Sequence, residues 1–476
     1  MGCRRLVGID LGIASAHAVR ILDGEGTTLA KRIAFPTVES LTQLESAALD
    51  DTPTGTCLEV VIEPTGPAWL PIAVFFIGRG HCVYRVSSAQ SADLRRYLSR
   101  HAKTNGIDAD TLARIPLFHP SGVHRLELVG AEAAGLDRRV RAADRLTRMI
   151  AEHKTRIKAL VRQLMPMSPL AGKITLADLA VLERWADPRL LMKAGRARIT
   201  AVIAKASHGH NGVDRAEEWL GAAQAAVELY ADHPAVAFTE LAAEVATEVR
   251  LLRAIHDELI VHNREREVAY RSVDPDGLAR SLPGLAEVGG PALVATMGDP
   301  TRFTKPKQFR AFSGLAPKAS ETGDTDRKGQ PMSKAGSSLL RTTLVRAADT
   351  ARKQDPQLAR IYYLQMVERG KNHIGAICVV AAQLAERAWV VMNRQTPYVI
   401  CDTDGTPVTA EQATAIIAER WTVPADVRAR RRSKKGKVPQ AVSTRRHERG
   451  DLPQPASSTR HQEPVNPRQH TQRQTA

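Results

Sequence analysis

A chain of 476 residues is too long for one compact core and long enough for two or three domains. Its formal charge of +16 and pI near 9.9 favour a polyanionic partner, nucleic acid first. Five scattered cysteines with no CxxC pair exclude a disulfide framework or a cysteine zinc site and suit reduced thiols.

Residues 6–10 form a short apolar run and read as a strand. Small residues then turn the chain into a second strand over 16–22, closed by Asp23-Gly24. Another apolar run, 57–62, ends at Glu63-Pro64-Thr65-Gly66; a helix over 68–77 and a strand over 82–86 follow. This alternation predicts an α/β layer around a buried sheet. Helical spacing resumes over 91–113, with a break near Asn105-Gly106.

From 131 to 164 the pattern is a long charged helix, with apolar residues such as Leu136, Val140, Ala143, Leu146, Ile150, Ile157 and Leu160 at intervals of three, four or seven. A second such stretch spans 216–268, with a smaller helical insert between. The spacing fits the two folding back on each other as well as pairing across subunits. After Leu282-Pro283-Gly284, the Gly289-Gly290-Pro291 run opens a short helix. Paired glycines there suit backbone amides approaching phosphates, and equally a plain turn between helices. Residues 303–312 lead into a Gly- and Ser-rich loop through Gly336, and 339–353 and 374–393 read as buried helices. Runs such as 374–382 are too short to span a membrane, so a soluble chain with no membrane partner is expected. Beyond Val423 the sequence is Arg, Lys, Ser, Pro and Gln, which predicts a disordered basic tail.

Asp10 stands at the end of the first predicted strand and Glu63 at the end of a later one, where ligands bind in α/β sheets. Asn105 and Asp108, three apart, share a helix face. Oxygen donors from separate elements are what Mg2+ or Mn2+ takes, together with water and phosphate oxygens. Any one such acid is more often a surface or capping group; three in this order point to a site.

Gly8-Ile9-Asp10, Val61-Ile62-Glu63-Pro64-Thr65-Gly66 and Lys103-Thr104-Asn105-Gly106-Ile107-Asp108-Ala109 resemble the acidic motifs of the DEDD insertion-sequence transposases, the family numbered one-ten, related to Piv-type DNA invertases. Leu282-Pro283-Gly284, Gly314-Leu315-Ala316-Pro317, Ser320-Glu321-Thr322-Gly323 and Met332-Ser333-Lys334-Ala335-Gly336, followed by Leu340-Arg341, resemble its C-terminal motifs. The likeness spans roughly residues 5–395. It implies α/β plus all-α classes: an RNase H/RuvC-like metal-binding domain (1–125), a coiled-coil-like linker (126–275), a mainly helical transposase domain (276–400) and a basic tail (424–476). It implies Asp10, Glu63 and Asp108 as catalytic Mg2+ or Mn2+ ligands, with Asn105 as a further metal ligand, and a C-terminal hydroxyl that links covalently to DNA. Ser333, Lys334 and Arg341 would contact nucleic acid. The implied partners are the element ends and target DNA, a guide RNA in several members, and further copies of the chain as a dimer or tetramer. The implied setting is the bacterial cytoplasm, at the nucleoid.

Two departures stand out. Asn105 occupies the place of one family acid and brings no charge, while Asp110 points away from Asp108 on a continuous helix. In the nucleophile motif Thr322 precedes Gly323 and Ser320 lies two residues earlier: alignment favours Thr322, the less hindered hydroxyl Ser320. Three other readings stand beside this one: an actin-like kinase or ATPase, since Gly8-Ile9-Asp10-Leu11-Gly12 also opens that fold; a purely hydrolytic nuclease or resolvase; and a decayed copy that binds without chemistry.

Overall fold

The structure, a computed structural model, describes residues 4–98, 104–231, 233–318, 321–322, 325–326 and 330–431. Strands β1 (Arg5–Asp10), β2 (His17–Asp23) and β3 (Thr28–Ala34) form an antiparallel meander. Helix α1 (Val38–Leu49) then leads to β4 (Leu58–Ile62), and α2 (Trp69–Gly78) to β5 (Cys82–Arg85). Strand β4 runs parallel to β1 and β5 parallel to β4, giving the order β3-β2-β1-β4-β5. Five of the six β1 residues are buried, as expected of a central strand covered on both faces.

One face of the sheet, carrying Val7, Ile9, Val60 and Ile62, packs on Leu41, Leu44, Ile72 and Phe76 of α1 and α2. The other is covered by α4 (Asn105–Phe118), which follows α3 (Ser88–Leu98). Helix α4 crosses β1 at Gly8, where a Cβ would lie 2.0 Å from the Ala109 carbonyl oxygen and 2.5 Å from the Ala113 nitrogen. Backbone at that distance cannot give way, so the crossing requires glycine.

The strands and α2 lie within a residue or two of their expected places. The expected helix break near Asn105-Gly106 is present, since α3 ends at Leu98 and α4 begins at Asn105. Strand β3 and helix α1 have no counterpart in the expected elements: β3 is an edge strand with Lys31 and Arg32 exposed, so its apolar content is low. The cysteines are not all scattered in space, because the pairing of β4 with β5 leaves the free thiols of Cys57 and Cys82 with their Sγ atoms 3.4 Å apart.

Helix α5 (Ala131–Leu164) has the expected bounds. It is followed by α6 (Leu176–Trp185), α7 (Pro188–Ala206), α8 (Val213–Tyr230) and α9 (Phe238–Val273). The stretch expected as one helix over 216–268 is therefore two. Ala231 takes a left-handed φ of 42°, and Pro234 keeps the turn from continuing as helix. Helices α5 and α9 lie along each other within the chain, joined by Arg139–Glu265 and by His153 and Arg156 on Glu248. One end of the pair packs with α6–α8 through Ile157, Val161, Trp219 and Val249. At the other end, Leu136, Val140 and Tyr270 enter the C-terminal core.

That core holds α10 (Leu278–Ser281), α11 (Gly289–Met297), α12 (Pro306–Phe312), α13 (Ser338–Ala351), α14 (Pro356–Val367), α15 (His373–Arg394), α16 (Ala410–Arg420) and α17 (Ala425–Arg430). Two-residue strands β6 (Glu321–Thr322) and β7 (Thr325–Asp326) pair between α12 and α13. By length and composition α15 could cross a membrane, contrary to the shorter run read from sequence; here it is the central core helix, burying Ala376, Val380, Leu384 and Ala388. Gly289 and Gly290 open α11 and lie against Leu285 and against Arg280 and Tyr270, where side chains would collide. The chain beyond Val423 also stays ordered for longer than expected, since Val427 of α17 packs on the core. The rest of the expected tail, 432–476, lies outside the described residues.

Gly8→Ala is expected to lower stability by about 2–3 kcal/mol, the cost of overpacking against backbone. Chemical denaturation checks it; a change below about 0.5 kcal/mol would show that the α4 crossing is not tight.

Candidate active site

Ile9 pairs with Ile62 in the parallel register of β1 and β4, so Asp10 and Glu63 leave the sheet at adjacent strand ends. Their following loops meet, because Gly66, at φ +51°, would bring a Cβ to 3.5 Å from Ile13. The crossing at Gly8 brings α4 to the same strand, and Asp108 immediately precedes the Ala109 whose carbonyl faces Gly8. Thr104 caps α4 by accepting the Ile107 N–H at 3.2 Å, which leaves Asp108 in the first turn where the helix dipole favours an anion. Asn105 is exposed at the first position of the helix. All four acidic-motif positions thus belong to elements that meet on the β1 side of the sheet.

Helix α3 engages Glu63 and Asp108. The Ser91 hydroxyl donates to Glu63 Oε2 at 2.5 Å, and Arg95 Nη1 donates to Asp108 Oδ1 at 3.1 Å. Asp110 is turned away, bonded to Arg114 at 2.7 Å and to the Thr28 hydroxyl at 3.3 Å, so it does not replace the acid missing at Asn105. The donors are all hard oxygens, the chemistry that Mg2+ or Mn2+ requires. Among the described residues, no three His, Cys, Asp or Glu side chains are gathered closely enough to hold an ion. The donor set therefore fits the cation in kind, with two of its members held by α3. Ser91 and Arg95 were not singled out from sequence, though their spacing of four was visible. Nor was Arg20, whose guanidinium lies over Gly106 at the start of α4.

Ser320 lies outside the described residues, and Thr322 belongs to β6, paired with Thr325 of β7. Lys318 N–H donates to the Pro331 carbonyl at 2.9 Å and Ser333 N–H to that of Ala316 at 2.8 Å, so the two segments run antiparallel. Gly314 (φ +72°) and Gly336 (φ +134°) let them approach: a Cβ on Gly336 would lie 2.2 Å from the Phe312 carbonyl oxygen. Arg341 donates to the Lys334 carbonyl at 3.1 Å, and Lys334 itself is exposed with φ 57°. Ser333, Lys334 and Arg341 thus lie together at the base of the loop.

Arg302, stacked over Phe303 and Phe312, has its pKa lowered first by burial and then by Arg85, the last residue of β5.

Comparison with known proteins agrees with the motif arrangement. Residues 7–166 match the DEDD transposase family of IS110, and residues 276–363 match the Transposase IS116/IS110/IS902 family. The chain belongs to the IS110 family of transposases. This membership sets aside the actin-like kinase reading. The transposase is 24% identical over 72% of its length to the insertion element IS110 uncharacterized 43.6 kDa protein of Streptomyces coelicolor, covering 84% of it. It is 23% identical over 81% of its length to the IS116 uncharacterized 44.8 kDa protein of Streptomyces clavuligerus, covering 94%. A probable family 20 transposase of Pseudomonas aeruginosa is 31% identical over 31% of the chain, which spans about half of that relative (46%).

Beside Asp10, the loop from β1 to β2 is fixed by His17. Its ring is buried, 2% exposed, and Nδ1 accepts the Gly12 N–H at 3.1 Å. Burial pushes the imidazole below its ordinary value of 6.5. The folded state thus resists protonation while the unfolded chain accepts it, so stability is full above pH about 6.5 and falls as the pH drops below it. The thermal midpoint should decline between about pH 7 and pH 5, and His17→Asn, which keeps an acceptor but cannot titrate, should flatten part of that decline. An unchanged slope in the variant would remove His17 as its source.

Proposed function

We propose that this transposase cuts and rejoins DNA at the ends of an insertion sequence and at a target, using its N-terminal carboxylates together with a hydroxyl from the loop between Lys318 and Pro331. The observation that supports the reading is the register of β1 on β4, which sets Asp10 and Glu63 at adjacent strand ends, combined with the crossing of α4, the helix that carries Asp108, over β1 at Gly8. The strand order β3-β2-β1-β4-β5, with β1, β4 and β5 parallel, supports an RNase H/RuvC-like assignment for this domain.

In this reading Asp10, Glu63 and Asp108 hold Mg2+ or Mn2+, and Asn105 adds a neutral oxygen. When bound, the cation stabilises the negative charge that builds on the phosphate. The hydroxyl of Ser320 or Thr322 attacks phosphorus, the displaced DNA oxygen leaves with a proton, and the phosphodiester is conserved as a protein–DNA ester. Rejoining reverses the step with a new DNA hydroxyl. Ser333, Lys334 and Arg341, at the base of the loop, would position phosphates without reading sequence. The +16 charge suits both DNA and an element-encoded guide RNA. Action as a dimer or tetramer, with carboxylates and hydroxyl drawn from different copies, belongs to the same reading.

Incubating the full chain with Mg2+ and element-end DNA, with the flanking RNA where one exists, should give a denaturation-resistant protein–DNA adduct. Either Ser320→Ala or Thr322→Ala should abolish it and so identify the nucleophile. Asp10→Asn and Glu63→Gln should reduce strand transfer by about a thousandfold and leave nucleic-acid affinity within about threefold, because binding rests on many distributed cations. Cleaved ends with no adduct in any form would favour hydrolysis.

A further inference from the structure

Helix α3 contributes no fully buried side chain to either core. Two of its residues, one turn apart and therefore on one face, nevertheless reach two carboxylates of the candidate site. Ser91 holds Glu63 through its hydroxyl at 2.5 Å, and Arg95 holds Asp108 at 3.1 Å. The Arg95–Asp108 pair is largely shielded, its side chains 25% and 22% exposed. One residue on, Arg96 pairs with Asp93 of the same helix at 70% and 71% exposure, an ordinary surface contact.

We propose that Ser91 and Arg95 are positioning residues: α3 clamps Glu63 and Asp108, Arg95 supplies the positive charge the carboxylates need without a metal, and a divalent cation enters by displacing Arg95 from Asp108. This rests on the reading of Asp10, Glu63 and Asp108 as cation ligands. Carboxylates at neighbouring element ends repel more as they draw closer, unless a cation sits among them. A guanidinium and a divalent cation compete for the same oxygen lone pairs, and a small cation with strict geometry cannot share them with a fixed fork of donors. Because α3 has no fully buried residue and rests on the core beneath it through Leu94, letting go of Asp108 uncovers little apolar surface. The clamp also accounts for hard donors that are present without being drawn together.

The test is Mn2+ binding to the full chain without nucleic acid, followed by electron paramagnetic resonance of the free ion. Arg95→Ala should tighten binding roughly fivefold, the scale of one partly shielded ion pair, and Ser91→Ala should give a smaller gain in the same direction. Arg95→Lys, which keeps the charge, should restore an affinity near that of the original chain. Arg96→Ala removes the same charge one residue away and should change nothing. If Arg95→Ala binds like the original chain, or if Arg96→Ala matches it, the clamp is wrong even though Asp10→Asn abolishes binding. If the original chain binds no Mn2+ that Asp10→Asn removes, the cation-site reading itself fails and the clamp falls with it.

Discussion

Helix α4 lies so close to β1 that a methyl group on Gly8 would press into the Ala109 carbonyl. That approach fixes the distance between a helix and a central strand with backbone on both sides, the least deformable kind of contact. Asp108 is one residue before it and Asp10 two residues beyond Gly8, so their relative placement follows from packing rather than from side-chain preference. Glu63 is added by the parallel pairing of β4 with β1. The chemistry proposed for the N-terminal domain depends on these two backbone contacts.

Charge supplies the second constraint. Two acids of α4 are met by cations from their own surroundings, Arg95 on Asp108 and Arg114 on Asp110. At the far end of the chain the positive charge is in surplus: residues 432–476 carry ten Lys or Arg against three Asp or Glu. Between these regions α5 and α9 form a strut whose two ends belong to different cores, with Ile157 and Val249 in one and Leu136 and Tyr270 in the other. A shared pair of this kind ties the helical insert of α6–α8 firmly to the C-terminal core.

Much of this was legible in the residues. The ends of β1 and β4 announce themselves by apolar runs stopped at Asp10 and Glu63, and α5 by a repeat without breakers. Elements with weak apolar pattern were not legible: β3 exposes Lys31 and Arg32 at a sheet edge. The break between α8 and α9 was missed because helical spacing continues on both sides of Pro234. At Gly289 and Gly290 the residues left a phosphate-facing turn and a plain helix turn equally open, and the two glycines pack against Leu285 and Arg280. At the site, periodicity could name the acids but not their partners: the contacts of Ser91 and Arg95 depend on how α3 is laid against α4, which no local pattern encodes.

The central claim is that Asp10, Glu63 and Asp108 jointly hold a divalent cation. Fe2+ substituted for Mg2+, with ascorbate and peroxide, produces hydroxyl radicals that cut the backbone nearest the bound ion, and the cuts can be mapped by mass spectrometry. The account predicts cuts clustered around those three residues, lost in Asp10→Asn. Cuts confined to other segments, or none above a metal-free control, would contradict it.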